Sequence, residues 1–71
     1  MTPESRDIEN RFMYHTPKAG QPERYEALRT AGKTLAYLVE ASCPVSREKS
    51  FALTKLEECV MWANAAIARN E

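Results

Sequence analysis

Ten consecutive residues near the end of a 71-residue chain, Cys59-Val60-Met61-Trp62-Ala63-Asn64-Ala65-Ala66-Ile67-Ala68, are apolar at every position but Asn64. A helix that is apolar on every face is buried on every face. A single neighbouring helix covers one of them, and the chain has few means of covering the rest. At 8.1 kDa a folded surface of about 4,500 Å² replaces about 11,700 Å² unfolded, so only about 60% is buried. Two cysteines and one histidine cannot assemble a structural metal set. The sequence therefore predicts an oligomer, in which further copies pack on this helix. There Asn64 either fixes the register of an interchain seam, as polar core residues do, or lies as an amide on a less buried face.

The preceding residues supply the partner helix. Thr2-Pro3-Glu4 reads as the cap, N1 proline and acidic first turn of a short helix over 3–12, with Ile8 and Phe12 on one side. Pro17, Gly20 and Pro22 interrupt any regular element between Tyr14 and Pro22. From Pro22 onward Tyr25, Leu28, Leu35, Leu38 and Val39 recur at helical spacing to Ser42, with Ala31 and Gly32 in the gap. Cys43-Pro44-Val45-Ser46 stops that helix and caps the next, over 47–69, whose inner stripe is Leu53, Leu56, Val60, Ala63 and Ile67. A fold near Val45 sets Val39 opposite the region of Phe51, Leu35 opposite Leu56, and Ala31-Gly32 opposite Cys59-Val60. The expected fold is all-α and one domain over 1–71. An arm and loop over 1–21 precede helices over 22–42 and 47–69, which form a long antiparallel αα-hairpin.

Ten basic and ten acidic side chains cancel, which disfavours a binder of DNA or RNA polymers, since these require a basic patch. Within 11–33, however, Arg11, Lys18, Arg24, Arg29 and Lys33 are opposed only by Glu23 and Glu26. No apolar run approaches the roughly 18 residues that cross a bilayer, and Met1 to Asp7 lacks the apolar core of a signal peptide. The expectation is a cytoplasmic chain with no membrane partner. Cys59 falls more than two helical turns from Cys43 across the hairpin, beyond disulfide reach, so free thiols are expected, in the turn or buried. Catalytic chemistry finds no foothold. His15 is the only imidazole, and neighbouring Glu57 and Glu58 point to different faces of a helix. No Gly-rich phosphate loop, metal-binding helix motif or nucleophile elbow is present. The reading is of a protein that is not an enzyme, with no catalytic residue, metal ligand or cofactor.

One segment remains. In Asn10-Arg11-Phe12-Met13-Tyr14-His15-Thr16-Pro17-Lys18 cationic donors alternate with aromatic faces just before the kinked loop. Arg supplies forked donors to phosphate oxygens, Lys a point charge, and Phe or Tyr a face on which a base stacks. That composition suits a small phosphorylated base. Arg29 and Lys33, four apart on the outer face of the first long helix, can add to such a site. The simpler reading of the composition is that Phe12 and Tyr14 staple the arm onto the hairpin and the charges are solvated.

The blocks Glu9-Asn10-Arg11-Phe12-Met13-Tyr14-His15-Thr16-Pro17-Lys18, Gln21-Pro22-Glu23-Arg24-Tyr25-Glu26, Cys43-Pro44-Val45-Ser46-Arg47-Glu48-Lys49-Ser50 and Val60-Met61-Trp62-Ala63-Asn64-Ala65-Ala66-Ile67-Ala68-Arg69-Asn70 together resemble a family of small phage proteins with a helical-hairpin domain. Members are sponges for the nucleotide second messengers of bacterial immunity, chiefly the cyclic oligonucleotides of CBASS, with relatives that hold the cyclic ADP-ribose isomers of Thoeris. The resemblance implies a compact hexamer with ligand pockets between protomers. It further implies that a cyclic oligonucleotide, dinucleotide or trinucleotide, is captured unchanged, in the cytoplasm of the infected host. Site roles follow from the same resemblance: Tyr14 stacks on a base with Phe12 beside it, Arg11 and Lys18 contact phosphates, and His15 is a polar contact or a brace for the loop. Arg29 and Lys33 join from the facing helix, and Arg69 reaches a neighbouring subunit in a second type of pocket. The competing reading is an oligomeric protein-interaction module with no nucleotide ligand.

Overall fold

The computed structural model describes residues 2–71, so Met1, where the expected arm begins, lies outside them. Three helices follow in order, α1 (Pro3–Phe12), α2 (Gln21–Ser42) and α3 (Arg47–Asn70), and no strand occurs among the described residues. Each start has its own device. Thr2 accepts from the Ser5 amide at 3.1 Å and Ser46 from the Lys49 amide at 3.1 Å, satisfying orphan first-turn donors as capping side chains do. At α2 no side chain caps. There Gly20 takes the left-handed conformation at φ +83° and turns the loop into the helix, which begins at Gln21, one residue earlier than expected.

The hairpin turn is fastened on both sides. The Cys43 amide donates to the Val39 carbonyl at 3.0 Å, ending α2 before Pro44. Lys49, whose side chain is only 10% exposed, reaches back to the Glu40 carboxylate at 3.1 Å and to the Glu40 carbonyl at 3.0 Å. This antiparallel pair of helices carries the tertiary packing. Its seam is a 3.5-residue repeat. Among the half-buried residues, Tyr25, Leu28, Gly32, Ala36 and Val39 in α2 and Lys49, Leu53, Leu56, Val60, Ala63 and Ile67 in α3 follow it, the spacing of knobs-into-holes packing.

The α3 stripe matches expectation, and the α2 stripe does not match throughout. Gly32 and Ala36 take the seam, while Leu35 and Leu38 turn outward and remain exposed. The reason is distance. A Cβ placed on Gly32 would lie 2.6 Å from Val60 Cγ2, so the helices run too close for large side chains at those α2 positions. The expected placement of Ala31-Gly32 against Cys59-Val60 is therefore met at Gly32 and Val60.

Such close packing still makes no core. Among the described residues no apolar side chain is fully buried, and Gln21 alone is buried, at 3% exposure. The chain is a slab of 50 × 28 × 13 Å, and its radius of gyration of 15.7 Å exceeds the roughly 11 Å of a compact chain of this length. It exposes 5826 Å², against about 4,500 Å² for a folded monomer of its mass. Much of the excess is apolar: Leu35, Tyr37, Leu38, Phe51, Met61 and Trp62 are all exposed. Cys59, expected buried in the apolar helix, is an exposed free thiol because α2 covers only one side of α3, while Cys43 lies in the turn, as expected, and is likewise exposed and free. Among the described residues no helix is long and apolar enough to cross a membrane.

Val60 is β-branched and cannot swing its methyl aside without leaving its preferred rotamer. Gly32→Ala is therefore expected to be destabilising despite the roughly 1 kcal/mol of helix propensity it gains, since overpacking costs about 1–3 kcal/mol. Thermal denaturation should show a midpoint several degrees lower, and adding Val60→Ala should recover part of the loss.

Candidate functional site

The segment between α1 and α2 owes its path to a few hydrogen bonds. His15 Nε2 donates to the Asn10 carbonyl at 2.9 Å, which fixes the proton on that nitrogen and ties the loop to the end of α1. Further along, the Lys18 amide donates to Gln21 Oε1 at 2.9 Å and the Gln21 amide returns to the Lys18 carbonyl at 3.0 Å. Buried Gln21 also accepts from the Tyr25 hydroxyl at 3.4 Å and donates through Nε2 to Glu71 Oε1 at 3.2 Å. The loop is thereby laid across the end of α3.

Two clefts open where the loop, α1 and α3 meet. One, of about 600 Å³, lies between Asp7, Asn10, Arg11 and Phe12 of α1 and Trp62 and Arg69 of α3. The other, of about 550 Å³, is lined by Tyr14, His15 and Lys18 from the loop and by Arg69, Asn70 and Glu71 from the end of α3. Arg69 borders both. The structure thus gathers six of the eight residues singled out from the sequence, Arg11, Phe12, Tyr14, His15, Lys18 and Arg69, at one end of the hairpin. Arg29 and Lys33 lie elsewhere, in a separate groove of about 400 Å³ along the seam with Gly32, Leu56, Glu57 and Asn64. Asn64 Oδ1 is buried there without a hydrogen-bond partner.

The aromatic faces are free. Phe12 is 85% exposed and Tyr14 81%, so neither staples the arm to the hairpin within this chain. Arg11 is paired with Asp7 at 2.9 Å on the α1 surface, and exposed pairs of this kind contribute little and break easily. Sequence reasoning passed over Asn10, Trp62, Gln21 and Glu71 as site residues. Trp62 was absorbed into an apolar run, and Gln21 and Glu71 carry no motif.

A family model described as Acb2/Tad1, hairpin domain, matches residues 4–68. The chain belongs to the Acb2/Tad1 hairpin family. No curated protein and no solved structure matches it. The match runs from the first turn of α1 to the last turn of α3 and takes in five of the six clustered residues, with Arg69 immediately beyond it. The family is known for binding and sequestering signals in defence against bacterial immunity, rather than for catalysis.

In this Acb2/Tad1 chain the cleft end is latched by charge. Arg24 grips the Glu71 carboxylate with both guanidinium nitrogens, one bond being 2.8 Å, and Lys18 Nζ donates to the Glu71 main-chain oxygen. Hydrogen bonding by Arg24, and then by Gln21, holds the Glu71 carboxyl down at about 2, and the same pairing raises Arg24 above its ordinary value. A carboxyl depressed in the folded state contributes stability in full above its ordinary value near 4.5, and that contribution is lost as pH falls through about 2. Carbon NMR of the Glu71 carboxyl should give an acid midpoint near 2, and Arg24→Ala should return it toward the ordinary carboxylate range. Below the midpoint the loop should come away from α3.

Proposed function

We propose that this protein is an anti-defence sponge that captures cyclic oligonucleotide second messengers, cyclic dinucleotides and/or cyclic trinucleotides, and holds them unchanged, so that CBASS effectors are not activated. The observation that carries the reading is the convergence on Arg69 of two clefts, each pairing cationic donors with an uncovered aromatic ring, Phe12 in one and Tyr14 in the other. Rings stack on bases, and Arg11, Lys18 and Arg69 hold phosphates, with His15 bracing the loop between them. Arg29 and Lys33, in the seam groove, join from the facing helix as further ligand contacts.

A stoichiometric captor must bind tightly, and nanomolar affinity is about −12 kcal/mol. Two base stacks at about 1–3 kcal/mol each and charge-assisted hydrogen bonds at about 1.5–3 reach that only in an enclosed, preformed site. Each cleft stands open to solvent between two elements of this chain, and exposed apolar residues such as Trp62, Met61 and Leu38 are what a further copy would cover. The reading is accordingly a homo-oligomer, a hexamer, with pockets closed between protomers, working in the cytoplasm of an infected host. It engages no nucleic-acid polymer and no membrane.

Titration calorimetry against cyclic dinucleotides, cyclic trinucleotides and cyclic ADP-ribose isomers should give nanomolar binding of at least one class, with intact ligand recovered afterwards. Tyr14→Ala should weaken binding by the roughly 1–3 kcal/mol of one stack, about 5- to 150-fold. Light scattering should report six copies of 8.1 kDa, about 49 kDa. The exposed row of Tyr37, Leu38 and Phe51 favours a second reading, a protein-interaction module. It predicts no heat with any nucleotide and no effect of Tyr14→Ala.

A further inference from the structure

Glu71 is seated. Its carboxylate takes a two-pronged guanidinium from Arg24 and an amide from Gln21, while the Lys18 ammonium closes on the main-chain oxygen of the same residue. A fork and an amide on the side-chain carboxylate, with an ammonium beside them on the main-chain oxygen of the same residue, are donors of the kind a phosphate takes. The seat is also built in advance. Gln21 is 3% exposed, and its Oε1 is held by the Lys18 amide and the Tyr25 hydroxyl. Its Nε2 is thereby aimed at the seat whether or not Glu71 is there. Arg24 is set by α2, one turn along from Gln21.

The occupant is within reach of solvent. The Arg24 and Glu71 side chains are each close to half exposed, so a dissolved anion can compete for the same donors. The seat adjoins the cleft of Tyr14, His15 and Arg69, of which Lys18, Gln21 and Glu71 form one side. A phosphate entering that cleft meets the carboxylate as a rival of its own kind.

We propose that Lys18, Gln21 and Arg24 form an anion seat which Glu71 fills in the ligand-free chain, and that a phosphate group of an incoming ligand displaces Glu71 and takes its place. The proposal rests on the reading of the cleft as a nucleotide-binding site. It adds Arg24 to the ligand contacts. It also makes Glu71 a built-in competitor, which admits a phosphate or phosphodiester and turns away an uncharged nucleoside.

Inorganic pyrophosphate is the probe, because it carries phosphate chemistry without base or ring. In the full chain at pH 7, NMR should show the Arg24 guanidinium and the Glu71 carboxyl carbon shifting together and saturably, Glu71 toward a free carboxylate. Glu71→Gln should bind pyrophosphate about three- to tenfold tighter, and Arg24→Ala in that background should abolish the gain. Unmoved Arg24 and Glu71 signals at high pyrophosphate, or equal affinity of Glu71→Gln, would overturn the seat. The wild-type titration needs no substitution and decides the matter even where a variant does not fold. Cyclic oligonucleotides added in parallel separate the two ideas. A chain that seats pyrophosphate but takes up no cyclic oligonucleotide upholds the seat and overturns the sponge. One that takes up a cyclic oligonucleotide with Arg24 and Glu71 unmoved does the reverse.

Discussion

Gly32 lies so close to Val60 that a methyl group cannot be added between them, and the geometry of the molecule descends from that approach. With Gly32 and Ala36 at the middle of the α2 seam, the helices come close there, at the 3.5-residue spacing that keeps one stripe facing its partner. The register then follows. Glu40 meets Lys49 at the turn, and Gln21 and Arg24 meet Glu71 at the far end. Were the register shifted by one residue, Arg24 and Glu71 would turn to different faces, and the loop would lose its hold on α3.

Close approach has a second effect. Gly32 and Ala36, small enough for the close part of the seam, bury little area, and the neighbouring Leu35 and Leu38 remain exposed. At about 25 cal/mol per Å² of buried apolar surface, a slab with no fully buried apolar side chain among the described residues holds little hydrophobic stabilisation of its own. The interactions at its two ends are therefore structural as much as functional. Lys49, nearly covered by its neighbours, secures the turn, and the four-residue latch of Lys18, Gln21, Arg24 and Glu71 secures the loop.

Much of this was legible in the chain. Thr2-Pro3 and Ser46 are helix starts with a mechanism, Pro44 is a stop, and the stripe from Leu53 to Ile67 marks the inner face of α3. The phase of α2 was less so. Leu35 and Ala36 sit side by side, and the choice between them depends on how near α3 comes, which is set by the missing side chain of Gly32 rather than by hydrophobicity. The local cluster of Arg11, Phe12, Tyr14, His15 and Lys18 was visible because its members are neighbours in sequence. Arg29 and Lys33 looked equally suitable in composition, yet the rotation of α2 carries them to the seam groove. The latch joins residues 47 to 53 positions apart, and the match of one end of α2 to the last turn of α3 has no signature in either segment.

Folding order follows from the same two ends. The Glu40–Lys49 clasp closes a span of 9 residues, whereas the Gln21–Glu71 contact closes one of 50. Closure entropy rises with the logarithm of the span, so the hairpin zips from its turn outward and frays from the opposite tip. That tip is where the clefts are. A molecule held there joins the strands of the fray and raises the free energy of local opening in proportion to the logarithm of its concentration over its dissociation constant. Its escape then has to wait for an opening that its own presence makes rarer, and slow release becomes a property of the folding landscape as well as of the pocket.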